Sequence, residues 1–68
     1  MLIEFLLFLQ NNYPNILVKE YLDLENSSYR FVFLYNGQTF NTVINNTPKP
    51  PISYQFEEAL RNSGITYP

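Results

Sequence analysis

Acid–base and metal chemistry need carboxylates, imidazoles or thiols that converge on one point, and this chain offers only the first, having no histidine and no cysteine. Its carboxylates gather in two places, the pair Glu57-Glu58 and the trio Glu20, Asp23 and Glu25. Neighbours on a helix point about 100° apart, and strand residues at odd spacing point to opposite faces, so neither grouping closes on a proton or a cation. These acids read as helix-dipole and solubility charge. Without imidazole or thiolate, the common general base, the sulfur nucleophile and the usual zinc ligands are missing. The chain is therefore expected to be no enzyme, with no catalytic, cofactor-binding or metal-binding residues.

Rings are the other resource. Six tyrosines and six phenylalanines could stack on the bases of single-stranded nucleic acid. The charge argues against it. The formal net charge is −2, and the four bases Lys19, Arg30, Lys49 and Arg61 are scattered along the chain, leaving no basic patch to neutralise phosphates. A small-ligand pocket between helices and sheet is a third possibility, for which Tyr29, Tyr35 and Tyr54 could supply hydroxyls.

The elements that must position these groups fit one domain, residues 1–68, with 46% apolar residues, enough for a compact core. The opening apolar run is interrupted by Glu4, follows no base and is too short to span a bilayer, so no membrane association is expected and the cytosol is the expected location. The sequons at Asn26 and Asn45 read as chance matches in an Asn-rich chain. On a helix, Leu2, Phe5, Leu6, Leu9 and Tyr13 gather on one side, and Asn11, Asn12 and Pro14 end it. Ile3, Leu7 and Phe8 fall outside that stripe.

From Ile16 to Ile44 the period becomes two, as expected of strands. Asn36-Gly37 predicts a type I′ turn, because both central positions need positive φ. Tyr35 should then face Gln38, with Phe33 opposite Phe40, Phe31 opposite Thr42 and Tyr29 opposite Ile44 on the core face. A turn at Glu25 to Ser28 predicts Leu24 opposite Tyr29, Leu22 opposite Phe31 and, on the outer face, Asp23 across from Arg30. Glu20 is the misfit of that register, since it points inward unless a bulge turns it out or it lies at the rim. Asn45 to Pro51 carries three prolines and reads as a connection. The last helix should start with Ser53 as its cap, hold Glu57 and Glu58 near the positive end of its dipole, bury Phe56, Ala59, Leu60 and Ser63, and end at Gly64 with Ile65 folding back.

The expected class is α+β, a three-stranded antiparallel β-meander with an N-terminal and a C-terminal helix on one face, in the order α-β-β-β-α. Leu6-Leu7-Phe8-Leu9, Pro14, Arg30-Phe31-Val32-Phe33, Asn36-Gly37-Gln38-Thr39-Phe40 and Glu58-Ala59-Leu60 stand where that order resembles the double-stranded RNA-binding domain and its relatives, including the HicA-type toxins. The resemblance implies the fold. The RNA-binding family opens its second helix with a lysine cluster and enters a minor groove with a histidine, whereas here stand Ile52-Ser53-Tyr54-Gln55-Phe56-Glu57-Glu58 and the loop Asn26-Ser27-Ser28. The catalytic histidine of the HicA-type toxins has no counterpart in a chain without histidine.

Two apolar surfaces remain once the core is assigned. Leu17, Tyr21, Val32, Leu34 and Val43 are expected on the outer face of the sheet as a partner-binding patch, and Ile3, Leu7 and Phe8 on the spare side of the first helix as a self-association patch. The expected function is a non-catalytic protein-binding module, homodimeric, acting as a small acidic accessory or inhibitor protein of phage or mobile-element type that masks a surface of a larger protein. A degenerate nucleic-acid-binding domain and a small-ligand-sensing domain stand as the alternatives.

Overall fold

The computed structural model describes residues 2–67, the side chain of Leu2 excepted. The elements run α1 (Leu2–Asn12), β1 (Leu17–Leu24), β2 (Ser28–Tyr35), β3 (Gln38–Asn45) and α2 (Ile52–Asn62). The strands form one antiparallel sheet in the order β1-β2-β3. This is the α+β order expected from the sequence.

The second hairpin has the register that Asn36-Gly37 requires, with Asn36 at φ 52° and Gly37 at φ 79° and Tyr35 opposite Gln38. Phe31, Phe33, Phe40 and Ile44 consequently share one buried face. The first hairpin differs from expectation by one residue. Its loop is Glu25-Asn26-Ser27, with Asn26 at φ 64° and Ser27 at φ 59°, so Leu24 faces Ser28 rather than Tyr29. A slip of one reverses every side chain. Leu22 now lies opposite Arg30 on the outer face, Tyr21 opposite Phe31 on the core face, and Asp23 opposite Tyr29, so the expected Asp23–Arg30 pair does not form. An irregularity between Val18 and Glu20 then inserts Lys19 and restores the inward direction of Val18, opposite Phe33, and of Ile16, which is buried. The same slip resolves the misfit of Glu20, which lies with Leu22 on the outer side, exposed opposite Val32.

Both helices lie on the phenylalanine face. Phe56, fully buried on α2, meets the rings of Phe5 and Phe8 from α1, Tyr13, Phe33 from β2 and Phe40 from β3 at centroid distances between 5.1 and 6.2 Å. Such ring pairs contribute roughly 0.5–1.5 kcal/mol each beyond the area they bury. They also correct the stripe of α1. Phe8, expected on the spare side, packs against the core beside Phe5 and Tyr13, and Leu6, expected inside, is exposed. A phenyl ring buries more surface than a leucine and gains ring partners here, so the helix turns that side inward.

The start of α2 also differs. Pro51 occupies the cap position without a side-chain cap bond, Ser53 lies inside the first turn, and Glu57 and Glu58 are past it. Gln55 instead ties this turn to the sheet: its Nε2 donates to the carbonyls of Pro50 and Asn45 at 2.9 Å each, and its Oε1 accepts from the Asn45 N–H at 2.8 Å. The far end is as expected, with Gly64 at φ 80° and Ile65 partly buried against the core.

Two substitutions test this backbone reading. Ser27→Gly should raise stability by about 0.5–1 kcal/mol, since glycine takes the left-handed conformation without the cost borne by a β-carbon. Gln55→Ala should lower it by about 1 kcal/mol by freeing the end of β3 from α2. Urea unfolding monitored by circular dichroism reads both.

Candidate functional site

Because both helices occupy one face, the outer face of the sheet is open. Leu17 (57% exposed) stands directly opposite Leu34, Val32 follows in the centre, and Leu22 (58% exposed) and Val43 flank Arg30 from either side. Of the residues expected there, Leu17, Val32, Leu34 and Val43 are on this face. Tyr21 is not: the slipped register puts it on the helix side, where its ring stacks on Phe31 at 6.0 Å, and Leu22 takes its place outside. Sequence reasoning missed Leu22 because only the length of the first turn decides its direction.

The second expected patch survives in altered form. Ile3 and Leu7 are exposed on α1, at 71% and 50%, and Leu6 joins them at i, i+3, i+4 spacing, while Phe8 is drawn into the core cluster. Between α1 and the proline-rich connection lies a groove of about 580 Å³ floored by Phe5, Phe8, Pro48, Pro51 and Ile52.

The polar groups do not converge. Tyr29 and Tyr35 sit at opposite ends of β2, roughly 20 Å apart along an extended strand, and Tyr54 is exposed on α2. Glu20 faces outward, Asp23 lies on the opposite face of β1, and Glu25 is in the turn. Among the described residues, no group of three or more His, Cys, Asp or Glu side chains is placed to hold a metal ion. No helix among them is long and apolar enough to cross a membrane.

Glu57 has a definite task instead. The Tyr13 hydroxyl, at the exit of α1, donates to its Oε2 at 2.8 Å and so ties α1 to α2. Burial, then the hydrogen bond and the negative charge of Glu57, push the Tyr13 phenol up to about 12 from its ordinary 10.0. A raised pKa in the folded state means that the fold favours the protonated phenol. Its contribution is fully present below pH 10 and is lost as pH climbs from about 10 to about 12. Wild-type protein should therefore lose stability across that window in excess of Tyr13→Phe, and urea unfolding of the two chains at pH 9 and at pH 11.5 checks it.

No family model matches the chain, and no curated protein or solved structure matches it.

Proposed function

We propose that the chain is a non-catalytic protein-binding module whose outer sheet face, centred on Val32 and Leu34 with Leu17, Leu22 and Val43 around them, docks on a larger protein. The observation that carries this reading is the one-sided packing of the sheet, which leaves Leu17, Leu22, Leu24, Val32, Leu34 and Val43 on the outer face with Arg30 and Glu20 as charges among them. Contiguous apolar surface with few charges in its centre is what the core of a protein interface offers. The action of such a module is to mask the surface it covers, as a small accessory or inhibitor protein does. The topology supports kinship with the double-stranded RNA-binding fold without its chemistry, since α2 opens on Ile52, Ser53 and Tyr54 and not on bases.

Self-association belongs to the same reading. Ile3, Leu6 and Leu7 form an apolar strip on the outside of α1, well separated from the open sheet face, so a twofold contact through the helices would leave both sheets free for partners.

The test compares tagged wild-type chain with Leu34→Glu and with Tyr54→Ala on α2, each checked for native circular dichroism, in capture from a lysate of the source cell. A stoichiometric partner retained by wild type and by Tyr54→Ala should be lost at least about tenfold in Leu34→Glu, since burying an unpaired carboxylate at an interface costs on the order of 2 kcal/mol or more. Equal capture by all three sinks the proposal. Sedimentation equilibrium of wild type against Leu7→Glu reads the helix contact: a dimer that the variant splits is expected.

A further inference from the structure

The two edges of the sheet are not equivalent. At the β3 edge, the Gln55 side chain bonds both the N–H and the C=O of Asn45, as a neighbouring strand would. That contact also phases the ladder. Asn45 points its main-chain groups away from β2, and Asn46 N–H donates to Ser27 O at 2.8 Å, so Ile44, Thr42, Phe40 and Gln38 exchange hydrogen bonds with Tyr29, Phe31, Phe33 and Tyr35. The alternate residues of β2, namely Ser28, Arg30 and Val32, must then bond Leu24, Leu22 and Glu20 of β1. By the same alternation, the main-chain N–H and C=O groups of Tyr21 and Asp23 point away from the sheet along its open edge.

Charge selects what can pair there. Between the bulge at Lys19 and the turn, the edge reads Glu20-Tyr21-Leu22-Asp23-Leu24, with two exposed acids and no base. A second copy would set one acidic edge beside another, and the bulge shortens the ladder further; both are devices that keep edge strands from pairing with themselves. Neither repels a strand of opposite charge. The side chains alternate as well: Glu20 and Leu22 lie on the outer face beside the open apolar surface, while Tyr21 and Asp23 lie on the helix side.

We infer that β1 is a strand-addition edge, on which an extended segment of the protein partner pairs over Glu20 to Asp23 and presents a basic, apolar, apolar, basic run to Glu20, Tyr21, Leu22 and Asp23. Because the edge reads acid, apolar, apolar, acid in either direction, both strand orientations meet the same chemistry. Main-chain bonds at Tyr21 and Asp23 supply the attachment, and the two charge pairs and Leu22 supply the selection. The inference rests on the protein-binding reading and extends it from a face to that face together with its edge.

The probe is a fluorescein-labelled peptide of about a dozen residues centred on Lys-Val-Ile-Arg, against a control centred on Glu-Val-Ile-Glu. Anisotropy should show saturable binding of the basic peptide, weakened by about tenfold or more in the doubly substituted chain Glu20→Lys with Asp23→Lys, and none of the control. Amide hydrogen exchange by NMR should show new protection at Tyr21 and Asp23 on binding, with none gained along β3. Three results overturn the inference: no saturable binding in low salt, binding without protection at those two amides, or protection already present in the free chain because copies pair there. Leu34→Glu separates this from the broader reading. If the peptide fails while Leu34→Glu still loses the captured partner, the edge alone is wrong; if the peptide binds as inferred while Leu34→Glu retains the partner, the outer face alone is wrong.

Discussion

The placement of Phe56 organises this molecule. One side chain from α2, with no surface left to solvent, is in ring contact with α1, with the α1–β1 connection and with two strands. In a chain of 68 residues there is too little interior for two layers of core, and an aromatic cluster is a compact way to supply buried area per residue. Once Phe56 sits between α1 and the sheet, both helices are committed to the same face, and among the described residues no element covers the opposite one. Nor does any disulfide share the load, since the chain has no cysteine.

The open face and the open edge are thus consequences of how the core was built, and the charges around them keep them from being liabilities. Glu20, made to face outward by the register of the first hairpin, puts a carboxylate opposite Val32 among the aliphatic side chains of the outer face. The bulge at Lys19 limits how much of β1 can act as a template, and the edge acids discourage copies of the chain from stacking edge to edge. At the other edge, Gln55 covers the main-chain groups of Asn45 at the end of β3 with its own amide.

The paired carboxylates Glu57 and Glu58 stand in different surroundings. Glu57 accepts from Tyr13 and holds the two helices together, and burial of the phenol, reinforced by this bond, keeps it protonated above its ordinary range. Glu58, one residue on, is exposed. Adjacent acids on a helix serve two unrelated environments for the geometric reason that they point apart.

Where a local signal was sufficient, the sequence by itself determined the outcome. Asn36-Gly37 set the β2–β3 register and with it the identity of the phenylalanine face, because so few residue types accept positive φ at both turn positions. Gly64 ended α2 for the same reason, and Leu17, Val32, Leu34 and Val43 followed onto the outer face from period two alone. What only the tertiary structure decided lies where local preference is weak. Ser27 adopts a left-handed conformation that serine rarely signals, and this one residue shortened the first loop, reversed Tyr21 and Leu22, and removed the Asp23–Arg30 pair. The bulge at Lys19 then returned Val18 to the core, a correction that depends on where β1 must meet β2 and not on any residue within it. On α1, helical periodicity allowed either Leu6 or Phe8 to face inward, and the rings waiting at Phe56 and Tyr13 chose Phe8. Turn residues act through their own backbone and can be read one at a time; the direction of a strand or the roll of an apolar helix is set by the total area buried against its neighbours, which no local segment contains.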